Sequence, residues 1–502
     1  MWTSKSNIGA DVMKTHEYRK WLSDEYVPIA GGALESNIIG IWFAKQGKKG
    51  EFVANEKKAW TKRGRWVGGD LQVTRTDGEE AWSDQTLFSD HVDFVNTFIG
   101  NGAPVVQGQS SLIAYLCWLA MGQETFTKGE NAELVLEAAS APTGEGTLSL
   151  KVGVNTYTTA KLKVTATGTE VLAAMALAFP VQWSTANVEC VNPTIKLSEI
   201  KTTPLKFKFK EELGFQPVPE ASLTSAEFGG GEPTWKVAVA GKLHKHVTTP
   251  SSSGGFYFGI AKEVGKSTVY RAQFNDCRAQ SLRVEGSSAS KVVKITPTVL
   301  SLNPGEIMGE APEKTDDGIT PFIFTEAAGT LQIDGTSYHG QSGFAVMFTW
   351  GLNEYYGDQV HPFDVINNVA TASIEGVTLL IDQAGLERYN SQIYGTTTPA
   401  SGTKPLEVLP LMGSYKVIFS RKSLYTNGVS ESLTVEMFGV KWSPTLAIPA
   451  NPAGGAVELS FTGQMRKTPG GIYAKETKSE AEAHGPFRVT VENYLDKAAF
   501  TV

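Results

Sequence analysis

The side chains that could do chemistry are few and loosely grouped. Glu79, Glu80 and Asp84 follow an Asp-Gly turn signal, and glycoside hydrolysis needs two carboxylates flanking one bond. The chain holds 52 acidic residues, so such neighbours arise from composition alone, and their setting reads as a solvated turn. His244 and His246 in KLHKH lie two apart, which in a strand would put both rings on one side, as metal ligands require. No third ligand stands near them in sequence. Cys117, Cys190 and Cys277 are scattered, odd in number and without CxxC spacing, which argues for buried small side chains over a zinc site or disulfide framework. Nucleophile-elbow, phosphate-loop, HExxH and dinucleotide signatures are missing, and the GGG at 229–231 lacks a strand-then-helix context. The expectation is therefore no catalytic residue, no cofactor and no metal.

A different chemistry is written in the run NEYYGDQVHPFDV, after the strand that ends at Trp350. Tyr355, Tyr356 and Phe363 could stack on a pyranose ring or fill the interface between protein subunits. The interface is the preferred reading. A carbohydrate-binding β-sandwich protein of a phage tail or cell surface stands as the alternative, and a glycosidase ranks behind both.

These residues must be positioned by a large, turn-rich fold. A chain of 502 residues suggests two or three domains. With 41% hydrophobic residues, 51 Gly and 23 Pro, it reads as a mainly β protein with ample core, not as a disordered one. Nothing in the net charge of −7 suggests a protein that grips nucleic acid through its phosphates. The N-terminal MWTSKSNIGADVMKTHEYRK has no apolar stretch of signal-peptide length, and the apolar run Leu112 to Met121 is too short to cross a bilayer. Synthesis in a reducing cytoplasm, without a membrane anchor, is expected.

Along the chain, IIGIWFA at 38–44 reads as a strand and KQGKKGE as a solvated basic turn. RWVGGDLQVTRTDGEEAW places Trp66, Leu71 and Val73 among two turn signals, Gly68-Gly69 and Asp77-Gly78, which predicts a hairpin. SSLIAYLCWLAMG at 110–122 predicts a helix capped by Ser110 and closed by Gly122, apolar on nearly every face. Residues 131–200, with the strands of TLSLKVGVNTYT and an Ala-rich helix at 169–179, read as an inserted α+β domain. Beyond it, Leu205, Phe207 and Phe209 alternate with Lys206, Lys208 and Lys210 as a half-buried strand. The Pro/Gly/acidic stretch 303–321 reads as a link, with a boundary near Thr320, and 322–502 carries enough strands for a sandwich. The expected division is 1–130 with 201–315, then 131–200 as the insertion, then 322–502. Gln-Ser precedes an alternating strand at both 280–281 and 341–342, an echo that suggests two related halves.

Residues 324–382 resemble the tail tube proteins of long-tailed bacteriophages. The resemblance lies in Gly329, Leu331, Ile333, Asp334 and Gly335 of a short hairpin, Asn353 at the start of a long loop, the turn at Pro362 to Asp364, and Ala372, Ile374, Gly376 and Leu380 of the next strand. SSLIAYLCWLAMG is similar to the helix that packs beside the tube sandwich, so the chain looks like the fused, two-tube-domain form. The resemblance covers 65–125 and 205–500. The 131–200 unit is more similar to small decorative domains inserted in phage tail sheath and tail proteins.

The resemblance implies two tail-tube-like β-sandwich or barrel domains, each with a flanking helix, plus the inserted domain. It implies a structural virion protein, made in the host cytoplasm, that self-assembles into stacked rings around a DNA conduit. Three chains would supply six tube domains per ring, with other tail proteins at the tube ends and DNA passing without specific binding. The loop 351–368 would reach the adjacent ring, with Trp350, Asn353, Tyr355, Tyr356, His361 and Phe363 as contact residues. Glu375 and Asp382 would be acidic groups facing the lumen, where negative charge keeps phosphates from adhering.

Overall fold

The computed structural model describes residues 38–53, 60, 62–82, 90–218, 222–265, 269–308, 312, 320–327, 331–338, 341–356, 362–380, 382–406, 413–422, 429–444, 457–465 and 487–495. In chain order the first segment holds β1 (Ile38–Lys45), β2 (Lys62–Gly64), β3 (Trp66–Gly68), β4 (Leu71–Trp82), β5 (Asp90–Gly102), β6 (Val105–Gln107), helix α1 (Ser110–Met121) and β7 (Gly122–Thr127). The insertion follows as β8 (Glu133–Glu137), β9 (Thr147–Val152), β10 (Asn155–Thr158), α2 (Gly168–Ala178), β11 (Val188–Cys190), β12 (Leu205–Phe209), β13 (Leu223–Ala226) and β14 (Thr234–Val239). The chain then re-enters the main sheet through β15 (His244–Pro250), β16 (Phe258–Val264), β17 (Tyr270–Ser287) and β18 (Lys294–Ile307). The second segment runs β19 (Leu331–Ile333), β20 (Thr336–Tyr338), β21 (Gln341–Thr349), β22 (Leu352–Tyr355), β23 (Asp364–Asn367), β24 (Thr371–Leu380), α3 (Gln383–Tyr394), β25 (Gly413–Lys422), β26 (Val429–Pro444), β27 (Glu458–Met465) and β28 (Phe487–Asn493).

The protein is mainly β, and its antiparallel pairings trace the same circuit twice. In the first half β1 pairs with β2, which leads through Arg65 into β3; β3 pairs with β6, β6 with β18, β18 with β17, β17 with β16, and β16 with β1 again. In the second half β19 pairs with β20, which leads into β21; β21 pairs with β24, then β27, β26, β25, and β25 pairs back with β19. Each circuit carries a hairpin at the same place, β4–β5 after β3 and β22–β23 after β21. Each also carries a helix at the same place, α1 after β6 and α3 after β24, both of 12 residues and both ended by a glycine in the left-handed region, Gly122 and Gly395. The long central strands are bulged at matching places, next to Asp276 (φ 49) in β17 and Gly439 (φ 70) in β26.

The Asp334-Gly335 pair turns as the sequence predicts. Its φ values of 52 and 78 are those of a two-residue hairpin turn that needs two left-handed residues. Asp334 is held there by the Ser414 amide at 2.7 Å and by Arg388.

Several expectations are corrected. Asp77-Gly78 is not a turn: it lies inside β4, where Asp77 opposes Val95 beside a bulge, so pairing with β5 overrides the local turn signal. Ser110 does not cap α1, since its hydroxyl donates to Glu431 at 2.6 Å and the cap position is Gln109, whose side chain does not bond to the helix's first amides. The stretch 303–321 is not wholly a link, because β18 continues to Ile307. The echoed Gln-Ser segments are not repeat-related: Ser281 to Ser287 of β17 pairs directly with Gly343 to Thr349 of β21. The repeat is instead one of topology.

The insertion has its own core, which includes Leu134, Leu150, Val171, Trp183, Phe207, Phe209, Phe228 and Trp235. The expected boundary at residue 200 falls inside that core, because β12 pairs with β8 and β11, and β14 pairs with β8. The two circuits, expected as separate domains, share one continuous core from Ile41 to Val491. Helix α1 is the reason. All its residues are buried, and it packs against β7, β15 and β17 of the first circuit and β26 and β28 of the second, where β15 and β28 join the two edge to edge.

Truncating Leu116→Ala in α1 should remove about 2–5 kcal/mol from the paired circuits, as for large-to-small core changes. In calorimetry the transition of the paired circuits should shift as one unit, with the insertion's own transition unmoved. Phe207→Ala should do the reverse, and a single transition shifted by both would contradict two cores.

Candidate assembly surface

The hairpin β22–β23 is built with two apolar faces. Leu352 opposes Asn367 and Glu354 opposes Val365, so Leu352 and Val365 share one face, while Tyr355, Asn353 and Ile366 share the other. The first face is seated on the molecule itself: Val365 is buried with Ile99 of β5 and Leu300 and Leu302 of β18, and Leu352 packs beside them. The second face is open. Tyr355 is 46% exposed, Phe363 48% and Ile366 50%, an apolar patch that no described residue covers.

Polar contacts hold the hairpin in place. Asp364 accepts from the Tyr257 hydroxyl at 3.0 Å and the Val365 amide at 2.8 Å, with the Lys49 ammonium 3.8 Å away. Arg278 donates to Asn367 at 2.8 Å and stacks over the Tyr257 ring at 4.8 Å. Burial opposes charge on Asp364, but the Val365 amide, the Tyr257 hydroxyl, Lys49 and Arg278 outweigh it and hold its pKa below the usual carboxylate value. Lys49 also lies 5.7 Å over the Phe363 ring, so the basic turn after β1 and the hairpin tip form one continuous surface.

The residues singled out by sequence divide accordingly. Tyr355 and Phe363 lie together on the open face, ring centroids 6.5 Å apart and edge to face. Asn353 donates to Asn368 at 3.4 Å, bracing the base of the hairpin. The Tyr356 hydroxyl donates to Glu354 at 2.6 Å, and burial together with that carboxylate pushes its pKa up. Trp350 is no contact residue: it is buried, edge-on to Phe348, and its indole donates to the Ala120 carbonyl at the end of α1 at 2.6 Å. His361 lies outside the described residues. Sequence reasoning missed Lys49, Asp364 and Ile366; the alternation in DVIN was the available signal for Ile366, and nothing local marks Lys49.

The two acidic candidates also have structural partners. Asp382 caps α3, its carboxylate accepting from the Gly385 amide at 2.8 Å. Glu375 sits at a bulge in β24 on the solvent face of the sheet, paired with Arg283 at 3.2 Å, and Arg283 also pairs with Glu285 at 3.1 Å. Farther along the main sheet Glu436 is flanked by Arg488 at 2.7 Å and Lys416 at 3.1 Å, which together outweigh burial and lower its pKa. The described charges of this face are thus paired rather than uniformly acidic.

The remaining chemical candidates are structural. His246 lies 2.7 Å from Glu124 and 3.2 Å from the Leu495 carbonyl, while His244 accepts from the Gly129 amide at 3.0 Å. Cys117, Cys190 and Cys277 are buried and unpaired as disulfides, and burial raises all three thiol pKa values. Glu79 and Glu80 lie on β4, and Asp84 falls outside the described residues. Among the described residues no group of three or more His, Cys, Asp or Glu could hold a metal ion, and no helix is long and apolar enough to cross a membrane.

The anchoring of the hairpin should depend on the Asp364 charge. Its folded pKa is depressed, so the contribution is complete above the ordinary aspartate value near ~4 and is lost as pH falls through the lower folded value. Asp364→Asn at pH 7 should speed protease cleavage within 351–368 several-fold, and the wild type should show the same increase only in strong acid. Equal cleavage of the two proteins at pH 7 would contradict the assignment. The chain matches no protein-family model and no curated protein, so the geometry of the hairpin and sheet edges carries the functional reading.

Proposed function

We propose that this chain is a structural, non-enzymatic subunit that assembles into stacked rings forming a phage tail tube, a conduit for DNA. One observation carries the reading: a junction made within the chain has its counterpart left open at the two outer edges. Beyond its bulge β17 pairs through Ser281 to Ser287 with β21 of the second circuit. In β26 the stretch that matches Ser281 to Ser287 begins at Pro444 and continues outside the described residues; leading into it, Lys441 to Pro444 has β27 on one edge and no strand on the other among the described residues. The equivalent of β21 is β3, which among the described residues pairs only with β6.

Open edges of this kind are joints or hazards. If β26 of one copy takes β3 of the next, each contact repeats the one already made between the circuits, and the sheet continues from chain to chain. The contact is heterologous, so it closes into a ring when the rotation permits. With two equivalent circuits per chain, three chains give six repeats, as the resemblance to fused tube proteins implies. The open face of β22–β23 then serves the next ring, other tail proteins close the tube ends, and DNA passes without specific contacts. The location in the virion tail follows from this reading.

Cysteines placed at Val67 in β3 and Ser443 in β26 test the joint, since opposed strand residues approach within disulfide reach. Mild oxidation should give intermolecular dimers and trimers on non-reducing gels, with trimer as the limit, and neither single variant should do so. Monomer alone after oxidation of the assembled protein would refute the joint. Tyr355→Ala with Phe363→Ala should leave rings intact and shorten stacks; loss of glycan binding instead would support the carbohydrate-binding alternative.

A further inference from the structure

The two ends of the first circuit differ in character. Lys45, Phe258, Cys277 and Ser301 are level across β1, β16, β17 and β18, while Ile38, Val264 and Tyr270, with Ile307 nearby, mark the opposite end. Roughly 23 Å separates the two ends, at about 3.3 Å per residue along β1.

The first end carries the basic turn, and the fold holds that turn rigidly. Gln46 donates to Asp276 Oδ1 at 3.0 Å and accepts from the Asp276 amide at 2.8 Å, while the Gly50 amide donates to the same carboxylate oxygen at 2.8 Å. Asp276 is buried and left-handed, φ 49, where the other circuit has Gly439. A non-glycine residue is disfavoured there, and the clamp on the turn accounts for its presence. The clamp fixes Lys48 and Lys49 beside exposed Phe52 and the Phe363 tip; Lys48 pairs with Glu51 at 2.9 Å.

The opposite end presents apolar side chains beside a carboxylate: Ile307 is 64% exposed, Tyr270 and Glu306 are exposed next to it, and the nearby Arg271 is neutralised by Glu263 at 2.7 Å. We propose that the Lys48–Lys49–Phe52 end of one copy seats on the Tyr270–Glu306–Ile307 end of a second copy, head to tail. The inference rests on the stacked-ring reading and names the surfaces that would join one ring to the next. Unlike patches at opposite ends cannot close into a dimer, and repetition extends a stack. Opposite charge sets the polarity and registers the copies, with the aromatic and aliphatic side chains burying area between them.

The test is the length of assemblies in sedimentation and micrographs of the full chain, with the melting temperature of each variant showing that it is folded. Lys48→Glu with Lys49→Glu should cut the stacked fraction roughly tenfold, as like charges then face each other. Ile307→Lys, which sets a lysine against lysines, should do the same. Combining all three substitutions on one chain should restore stacking, and 1 M salt should shorten wild-type stacks. Normal stacking by either separate variant, or no restoration in the combined one, would overturn the inference. Single rings persisting in the separate variants would keep that failure distinct from failure of the ring reading, which the Val67 and Ser443 cross-link addresses.

Discussion

Helix α1 is the constraint from which the rest of the molecule follows. It has no charged residue and no exposed one, so it cannot exist at a surface and must be enclosed before it is stable. One circuit covers only part of it; β26 and β28 of the second circuit cover the remainder. Polar contacts fix this arrangement at both helix ends. Ser110 reaches Glu431, which also binds Arg421, and Arg421 holds the carbonyls of Thr320 and Pro321 where the chain passes between circuits. At the other end the Trp350 indole occupies the Ala120 carbonyl, one of the acceptors that a helix terminus leaves open. The two circuits are therefore a pair by necessity, and their relative placement is set once, inside the chain.

That internal placement gives the open edges their meaning. A strand edge is uninformative alone, since every open sheet has two. Here one copy of an edge-to-edge joint is made within the chain by β17 and β21, and among the described residues β3 in one circuit and Lys441 to Pro444 in the other each keep one edge without a strand. The bulges next to Asp276 and Gly439 matter because a bulge turns a strand sharply. In β17 the segment beyond the bulge leaves β16 and joins the other circuit. In β26 the segment beyond Gly439 pairs with β27 through Val440 to Pro444. The insertion, attached through β7 and β15 with its own core, adds nothing to either edge.

Local chemistry made part of this legible in the sequence. Asp334-Gly335 could be read because only residues tolerant of positive φ make that turn, and α1 because Gly122 closes an apolar run that no strand would need. The insertion's extent was not legible: LKFKF alternates identically whether its buried face meets one core or another. Trp350 looked like the start of a loop because its partner, Ala120, is distant in sequence. Asp382 before QAGLERY is a helix-cap pattern, so its capping of α3 could have been read from chemistry alone. The open face of β22–β23 was half legible, with Tyr355 and Phe363 visible as aromatics and Lys49 joined to them only by folding.

Under the proposed function, two equivalent circuits in one chain make up a third of a six-fold repeat. Negative-stain or cryo-electron microscopy of the purified protein at high concentration, with class averages viewed down the ring axis, decides this. Rings of three chains showing six similar lobes around a central channel, with the insertions as three further projections, are expected. Discrete monomers, or closed dimers without a channel, would overturn the proposal.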